Sequence, residues 1–360
     1  PVCGDSSLEQ RIILQSMIKI ISTHEAFVAL GERWDEMAAQ CATATPYQQH
    51  SLCRLSWEMW KTEGDQLYII CHHKKEEWPA DAIFPCYLRN GVLHWIDFHC
   101  DFDCPIDVTP QNERYDMYAE VVMVSFNRVP HYSPLIGYFR TMGGCTKIQA
   151  SNAYSVIPLL DTQADAIASI ATLVKQKQRK IKDIARGGVK QALKFYDPAT
   201  NCYPKADIAH LAEHMINEGI RDAKYMSSHF LSFFEKLYEA RSIKVLVSYE
   251  DNTPVASFFL LYDAHRNEFI EWVLLYKHRR NNLQLMVHLL GIMKEHGITR
   301  LNLACGIYGY KMLNFHPEVH CVYEVQMWRT HAEYRRYKLH AMMLMAIRPL
   351  TKHFTRLLKS

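Results

Sequence analysis

The chain has 360 residues, of which 49% are hydrophobic, 12% aromatic and 22% charged. This mixture excludes an intrinsically disordered protein, because it can bury a large apolar core. The length predicts about two domains. The net charge of +3, from 41 basic and 38 acidic residues, excludes a chain that binds nucleic acid as a uniform polycation. Any basic surface must therefore be local.

Eleven cysteines are scattered through the chain without regular spacing. An odd number cannot form a complete disulfide framework, so reduced thiols are expected. The longest apolar runs, such as residues 255–262, fall short of the ~20 residues that a membrane-spanning helix needs. The first residues form neither the basic nor the apolar part of a secretory signal. We therefore expect a cytoplasmic protein.

Apolar periodicity predicts helices and then strands in the first half of the chain. Residues 24–40 place apolar side chains at spacings of three and four, which indicates a helix. The other predicted elements are a helix over 51–61 and strands over 66–71, 82–88, 92–96 and 154–160. Asn90-Gly91 is a strong hairpin signal, because both residues tolerate positive φ. Residues 114–128 and 131–143 fit either a short helix or a strand.

The second half begins with a segment, 163–193, that has no proline and a continuous helical composition. Seven basic residues lie between Lys175 and Lys190 against one acid, Asp183, so the predicted long helix has a basic outer half. The elements predicted after it are helices over 206–219 and 227–241, strands over 243–249, 254–262 and 268–276, a helix over 283–296 and a strand over 300–304. The three strands make an antiparallel meander, and the helix after them makes a crossover to the last strand.

Residues 328–359 are predicted to be helical and carry eight Lys or Arg against a single acid, Glu333. Three explanations of this basic stretch are open. It is a solvated helix face, or an amphipathic surface attracted to an anionic membrane, or a contact for tRNA or another polyanion.

Several short motifs carry a resemblance to a known family. In the first half they are Trp34-Asp35-Glu36, Ala44-Thr45-Pro46-Tyr47-Gln48 and Trp57-Glu58-Met59-Trp60. In the second half they are Arg179-Lys180-Ile181-Lys182 and Gly309-Tyr310-Lys311-Met312-Leu313-Asn314-Phe315. Together they resemble the opening signature, the Arg-rich stretch and the closing motif of the CelD-like acetyltransferases, named for cellulose biosynthesis. Those proteins are related to the FemAB peptidoglycan aminoacyltransferases, and the resemblance covers most of residues 25–340.

The resemblance implies an α/β (α+β) protein with a tandem GNAT-like acyltransferase fold, in which helices flank two mixed sheets. The order of predicted elements repeats between residues 24–160 and 206–325, which supports a structural duplication. The predicted units are an N-terminal GNAT-like half over 1–162, a basic helical connector over 163–205, a C-terminal GNAT-like half over 206–327 and basic amphipathic helices over 328–360.

The loop before the predicted helix 283–296 departs from the family's pattern. Acyl-CoA-binding members place a glycine-bearing loop there, so that backbone N–H groups and the helix N-terminus receive the pyrophosphate. Residues 277–282 contain no glycine. The residues predicted to bind the cofactor are Arg279, Arg280, Asn281 and Asn282, which can contact phosphate directly. The resemblance implies acyl-CoA as co-substrate, and the loop leaves an aminoacyl-tRNA, another nucleotide-bearing donor or an acyl carrier protein open as the donor.

Three residues are predicted to act in catalysis. Lys311 and Tyr310 belong to the closing motif, and acyl transfer needs a group that stabilises negative charge and an acid for the leaving atom. Glu271, on the predicted strand 268–276, is the candidate base, because burial beside Trp272 would raise its pKa toward neutrality. The alternatives are an exposed loop lysine between packed tyrosines, and a glutamate on a solvated strand face.

The residues predicted to bind substrate are Gln48, Trp57, Asp101, Asp103 and Tyr308. The resemblance implies that the two aspartates face the acceptor in a cleft between the halves. The segment from His99 to Cys104 also contains metal-ligand residue types. Cys-x3-Cys has no second matched pair and strand alternation would divide the side chains, so no metal is expected there. Pro317 argues in the same way against His316 and His320.

The leading hypothesis is an N-acyltransferase that moves an acyl group from an acyl thioester, acyl-CoA or acyl carrier protein, to a small-molecule amine such as an amino sugar or amino acid. One alternative is a FemAB-like transferase that uses aminoacyl-tRNA. Another is a catalytically silent protein of the same fold that acts by binding. Residues 328–360 add the prediction of a peripheral membrane contact.

Overall fold

The computed structural model describes residues 17–73, 80–98, 100–107, 121–141, 145–161, 165–187 and 191–339, together with Met342. The helices are α1 (His24–Ala29), α2 (Gly31–Gln40), α3 (His50–Trp60), α4 (Pro134–Thr141), α5 (Lys175–Arg186), α6 (Lys205–Asn217), α7 (Ser228–Glu239), α8 (Arg279–Glu295) and α9 (Gly309–Phe315). The strands are β1 (Met17–Ile21), β2 (Gln66–Leu67), β3 (Ile69–His73), β4 (Ala82–Phe84), β5 (Cys86–Arg89), β6 (Val92–Trp95), β7 (Ile106–Asp107), β8 (Met123–Pro130), β9 (Thr146–Pro158), β10 (Ala192–Tyr196), β11 (Lys244–Glu250), β12 (Thr253–Asp263), β13 (Glu268–Tyr276), β14 (Arg300–Cys305) and β15 (Glu318–Trp328).

The helix predicted over 24–40 forms with a break in its middle. Thr23 starts α1, because its hydroxyl accepts a hydrogen bond from the Ala26 N–H at 3.3 Å. The chain turns at Leu30 and continues as α2 from Gly31. A Cβ atom on Gly31 would lie 3.3 Å from the His50 imidazole, so a residue without a side chain allows α2 to approach α3 closely.

Several local predictions are confirmed. Asn90 and Gly91 have φ angles of 53° and 75° and close the hairpin between β5 and β6. The meander of β11, β12 and β13 forms, and α8 crosses from it to β14, which lies parallel to β13. The strand predicted over 82–88 is divided into β4 and β5 at Pro85, which has no N–H to donate.

The long helix predicted over 163–193 is wrong in its extent. α5 covers Lys175–Arg186 alone, and residues 192–196 form β10, which pairs antiparallel with β11. The open edge of β11 offers backbone partners to this segment, and Phe195 and Tyr196 favour a strand. At the other end, β15 continues to Trp328, where a helix was expected to begin, and residues 331–339 are helical. The rest of the predicted C-terminal helices lies outside the described residues, apart from Met342.

Eleven strands form one mixed sheet, in the order β10-β11-β12-β13-β14-β9-β15-β8-β6-β5-β2. Among the described strands the parallel pairs are β13 with β14 and β6 with β8. The other sheet, β1-β3-β4-β7, is antiparallel.

The large sheet passes through both halves of the chain because two strands cross between them. β9, from the first half, pairs with β14. β15, from the second half, lies between β9 and β8. The predicted unit boundaries at residues 162, 205 and 327 are not tested by this arrangement and stay predictions.

Helices cover both faces of the second half of the large sheet. Val245 and Val247 of β11 pack with α6 and α7, whereas Leu246 between them packs with α5 and α8, as period-two alternation requires. Within the part of the chain that the structure describes, no helix is long and apolar enough to cross a membrane.

Candidate active site

β13 and β14 lie side by side for three residue pairs and then separate. Their parallel pairing starts at Glu268 with Arg300 and ends at Ile270 with Asn302. Glu271 is therefore the first residue of β13 beyond the contact. In parallel sheets, an opening at the carboxyl ends of separating strands is a common ligand site.

Irregularities in both strands accompany the separation. The register of β13 against β12 shifts so that Trp272 is an extra residue between Glu271 and Val273. On β14, Ala304 has a φ of 56°, and its N–H donates to Asn302 Oδ1 at 2.9 Å. Bulges of this kind bend a strand and redirect its side chains, and they are frequent beside active sites.

The opening between the two strands continues into a cleft of about 340 Å³. The cleft is bounded by β13, β14, the start of α9, the turn between α6 and α7, and parts of the first half. Five residues predicted from the sequence line it, namely Asp101, Glu271, Tyr308, Tyr310 and Lys311. The fold thus brings together residues that are more than two hundred positions apart in the chain, from Asp101 to Lys311.

The Lys311 side chain lies in the first turn of α9 and is 3% exposed. Its Nζ donates hydrogen bonds to the Leu303 carbonyl and, at 3.5 Å, to the Gly306 carbonyl. Burial lowers the pKa of Lys311, and the nearby Glu271 carboxylate acts in the opposite direction. An ammonium group has three N–H donors, so with these two carbonyl partners among the described residues it keeps one for a ligand.

The Glu271 carboxyl group is buried, which removes the alternative of a solvated strand face. Burial raises its pKa to about 7, although the Lys311 ammonium acts to lower it. Its Oε2 has no hydrogen-bond partner among the described residues. A carboxyl group with a pKa near neutrality can take and release a proton at physiological pH, which is the property of a general base.

Asp101 reaches the cleft from the first half of the chain. Its Oδ2 accepts hydrogen bonds from the Cys305 N–H at 3.3 Å and the Tyr47 hydroxyl at 3.5 Å. Its Oδ1 accepts from Arg128 Nη1 at 3.4 Å. Burial raises the pKa of Asp101, and the Arg128 guanidinium and the Lys311 ammonium oppose that change. Asp101 thus joins the first half to the end of β14.

Tyr308 and Tyr310 flank Lys311 with their rings stacked 6.1 Å apart. Tyr308 is 53% exposed at the mouth of the cleft, and its ring centroid lies 5.1 Å from Lys311 Nζ. Burial, and then the Glu271 carboxylate, raises the pKa of Tyr310, while a hydrogen bond with the Asn282 side chain lowers it. The Tyr310 hydroxyl therefore stays protonated and can donate.

The four residues predicted to bind a donor phosphate form the first turn of α8. Arg279 and Arg280 are exposed, whereas Asn281 and Asn282 are buried. Asn281 Nδ2 donates to Glu250 Oε1 at 3.1 Å. The Oδ1 atoms of both asparagines lack a hydrogen-bond partner among the described residues.

The end of α5 packs against the beginning of α8. Gln284 Nε2 donates to the Ile184 carbonyl at 3.5 Å. Gln191 Nε2 donates to Gln284 Oε1 at 2.8 Å and to Glu250 Oε1 at 2.9 Å. A Cβ atom on Gly187 would lie 3.5 Å from Gln284 Nε2, an ordinary van der Waals distance, so the end of α5 is in contact with α8. Protein groups therefore occupy space beside the α8 N-terminus, the position at which a helix commonly receives a phosphate.

Gln48 and Trp57 do not line the cleft. Gln48 Oε1 accepts hydrogen bonds from the backbone and hydroxyl of Thr45, and its Nε2 donates to the Phe102 carbonyl. Trp57 packs in the core beneath α1 and α2 and borders a separate surface cavity near Lys61. Both side chains therefore make their contacts with other groups of the protein.

Asp103 also lies outside the cleft, in a second strand opening. β6 and β8 pair in parallel from Val92 to His94 and then separate, like β13 and β14. Asp103 lies in this opening, since its Oδ2 accepts from the N–H groups of Asn127 and Arg128 at 2.9 and 3.0 Å. The chain segment that carries Asp103 therefore occupies the equivalent opening in the first half.

Several cleft residues have no motif that predicts them, among them Arg128, Asn152, Arg221 and Tyr225. Arg128 and Asn152 come from β8 and β9, and only the exchange of strands between the halves brings them to the site. Arg221 and Tyr225 lie in the break between α6 and α7. The only sequence signal for that pair is the interruption between two predicted helices just before the meander.

The described residues hold no group of three or more His, Cys, Asp or Glu side chains arranged to bind a metal ion. His99, in the segment to Cys104 that contains metal-ligand residue types, lies outside those residues. The ten cysteines that the structure describes are free thiols.

No family model and no curated protein sequence matches the chain. Many solved structures are similar in fold, and three of them are the following. The C-terminal DUF2156 domain of a putative lysylphosphatidylglycerol synthetase from Agrobacterium fabrum has a TM-score of 0.58 at 11% identity, covering 89% of this chain and 97% of that one. FemX has a TM-score of 0.56 at 9% identity, covering 86% and 96%. A conserved protein of unknown function from Bacteroides thetaiotaomicron has a TM-score of 0.51 at 11% identity, covering 87% and 100%.

At such low identities these likenesses show the fold alone. The CelD-like resemblance finds no matching family model and stays a prediction. The mixed eleven-stranded sheet, the flanking helices and the similarity to FemX confirm the predicted α/β class, but the second sheet is antiparallel and not mixed as predicted. The chain therefore shares its fold with FemX and with the DUF2156 domain.

Proposed function

We propose that the chain transfers an acyl group from an activated donor to an amine in the cleft between β13 and β14. The observation that carries the proposal is a buried ammonium group, Lys311, and a buried carboxyl group, Glu271, in the same opening. Each is close enough to shift the pKa of the other. The acyltransferase-type fold supports this assignment.

The cleft supplies a group for each step of the reaction. Glu271 takes a proton from the acceptor amine, whose nitrogen forms a bond to the acyl carbon. The Lys311 ammonium stabilises the oxyanion of the tetrahedral intermediate. The bond from the acyl carbon to the donor's sulfur or oxygen then breaks, and Tyr310 protonates that leaving atom. Tyr310 regains its proton from Glu271, so the amide and the free carrier are the only products.

An acyl thioester, carried by CoA or an acyl carrier protein, is the first candidate donor, and an amino sugar or amino acid is the acceptor class. The mouth of the cleft beside the exposed Tyr308 is where the thioester would enter. Arg279 and Arg280 at the start of α8 would then contact the phosphate groups of the carrier.

The contacts of α8 favour aminoacyl-tRNA as a second candidate donor. The end of α5 lies against the beginning of α8, and the first turn of α8 and the two residues before it contain no glycine. Next to that contact, a surface depression of about 540 Å³ is lined by Arg179, Lys180 and Arg280. Cationic side chains along a surface suit successive phosphates of a nucleic acid more than one pyrophosphate group.

A transfer assay separates the donors. Labelled acetyl-CoA, longer acyl-CoAs, acyl carrier protein and charged tRNA are each incubated with a mixture of amino acids and glucosamine, and labelled amide is counted. Product from a thioester supports the first donor, and product from charged tRNA alone supports the second. Absence of product with every donor contradicts the proposed function and favours the catalytically silent alternative.

A lysine variant tests the catalytic assignment. We expect Lys311→Met to lower turnover by about 100-fold or more, because a thioether cannot stabilise an oxyanion. Thermal stability should fall by much less than turnover, since Met fills a similar volume while the Leu303 and Gly306 carbonyls lose their Lys311 donor. Lys236→Met, an exposed position on α7, is the matched control and should retain turnover. Unchanged turnover in the Lys311 variant would remove Lys311 from the mechanism.

A further inference from the structure

Two guanidinium groups line the cleft in addition to the catalytic pair. Arg128 comes from β8 of the first half, and Arg221 comes from the turn between α6 and α7 of the second half. Asn152 lines the same cleft from β9. None of these residues has a role in the acyl transfer described above.

Arg128 is held in place with much of its guanidinium available. Its side chain is 36% exposed, and its hydrogen bond to Asp101 uses one nitrogen, Nη1, at 3.4 Å. Asp97 and Asp103 also lie near it, and together with Asp101 they raise the pKa of Arg128 against the effect of burial. These carboxyl groups anchor the arginine from the protein side, so the other face of its planar fork can meet a ligand in the cleft.

Arg221 has no carboxylate partner among the described residues. It is exposed, and its guanidinium carbon lies 5.4 Å from the centroid of the Tyr225 ring. Burial raises the pKa of Tyr225, and Asp101, Tyr308 and Arg128 are near enough to change it as well. The ring therefore supports Arg221 over the same part of the cleft that Arg128 lines, and contact with an aromatic face leaves the N–H groups of the fork available.

The two arginines come from different halves and line the same cleft as Lys311 and Glu271. Arginine pairs bind carboxylates and phosphates by charge-assisted, often bidentate hydrogen bonds. A neutral amine acceptor would give them no partner.

We infer that the acceptor carries an anionic group, a carboxylate or a phosphate, in addition to its amine, and that Arg128 and Arg221 bind this group. The inference rests on the proposed function, because it names the acceptor class of that site. An amino acid supplies the anion as a carboxylate, and a phosphorylated amino sugar supplies it as a phosphate. Specificity for such an acceptor would come from both halves of the chain.

Matched probes test this assignment without a known substrate. L-alanine is compared with L-alaninamide, and glucosamine 6-phosphate with glucosamine, since each pair differs in the anionic group. Binding is measured by ligand-observed NMR without a donor, and KM and kcat are measured with any donor that supports transfer. We expect the anionic member of at least one pair to bind about 10-fold or more tightly than its partner. The pair that shows this difference identifies the carboxylate or the phosphate as the recognised group.

Two arginine variants locate the binding group. Arg221→Gln, at an exposed position, and Arg128→Gln should each abolish the difference within the pair and raise KM while kcat stays within a few-fold, and Arg→Lys at either position should retain part of it. Arg140→Gln, an exposed arginine on α4 outside the cleft, is the control. Arg128→Gln leaves buried carboxyl groups without their cation, so the exposed Arg221 position keeps the test decisive if that variant does not fold.

The outcomes separate this inference from the proposed function. If transfer occurs and the neutral probes bind and react as well as the anionic ones, the acceptor assignment is overturned and acyl transfer stands. If anionic probes bind through Arg221 but no donor gives product, the anion site stands and the proposed function fails. An arginine variant with an unchanged preference for the anion would overturn the assignment of these residues.

Discussion

Burial disfavours the charged form of both groups at the centre of the candidate site. The pKa of Glu271 is raised and that of Lys311 is lowered, each mainly by loss of solvent. The sequence predicts both residues, one from its place on the third meander strand and one from the closing motif. It could not decide whether the Glu271 side chain is buried or solvated. Period-two alternation does not assign this side chain to one face of the sheet, because Trp272 is an extra residue in a bulge beside it. Gln48 and Trp57 are predicted to bind substrate but lie outside the cleft. A motif residue that forms internal hydrogen bonds or packs in the core cannot be told from a ligand-binding residue by sequence alone.

The raised pKa of Glu271 gives a prediction about pH. The folded protein holds this proton up to a pH of about 7, whereas an unfolded chain releases it near 4.5. Between those values the folded state binds more protons, so this group's contribution to stability is lost as the pH rises. We expect Glu271→Gln to gain roughly 1–3 kcal/mol of unfolding free energy relative to the wild type between pH 5 and pH 8. Urea unfolding at both pH values measures the change.

The same variant should lose activity. Glutamine cannot accept the amine proton, so turnover at pH 7 should fall by about 10²–10⁴-fold. Glu239→Gln, an exposed position at the end of α7, is the matched control for both measurements. A stability difference that does not change with pH would show that Glu271 is ionised at its ordinary pKa in the folded protein.

Elements whose formation depends on neighbouring residues can be predicted from the sequence, whereas elements that depend on a distant pairing partner cannot. The Asn90-Gly91 hairpin and the meander are set by turn residues between apolar runs. β10 is not, because residues 192–196 have a helical context in sequence and become a strand when the edge of β11 pairs with them. The segment around Asp103 is a further case, since its place in the opening between β6 and β8 depends on strands from either side of it.

Substitutions at Asp103 test whether this segment holds the first-half opening closed. Asp103→Ala removes the acceptor for the N–H groups of Asn127 and Arg128, so we expect a loss of about 2–3 kcal/mol in unfolding free energy. Asp103→Asn keeps an oxygen acceptor. Because burial, and then Asp97, raise the pKa of Asp103, a neutral amide should be tolerated with a much smaller loss. Equal losses in the two variants would show that the hydrogen bonds to Oδ2 contribute little.

At the scale of the whole molecule, the exchange of strands determines both stability and function. β9 pairs with β14, and β15 lies between β9 and β8, so each half completes the sheet of the other. The pairing partners are far apart in the chain, and a repeat of element order in the sequence carries no information about which half receives the last strand. The same exchange brings Asp101, Arg128 and Asn152 beside Lys311. The sequence could therefore predict part of the cleft, including Asp101, but not Arg128 and Asn152, which the first half also contributes.

This exchange predicts that neither half is stable alone. We expect the whole chain to unfold in urea in one transition, with coincident far-UV circular dichroism and tryptophan fluorescence, because loss of β15 opens the cores of both halves. Fragments 1–162 and 163–360 should not unfold cooperatively when separate, and should regain a cooperative transition when refolded together. Val322→Asp, at a buried position on β15, should lower the midpoint of that single transition, whereas Val319→Asp, at an exposed position on the same strand, should change it little. Two resolved transitions, or a second fragment that folds alone, would mean that each half is stable without the strand it receives from the other.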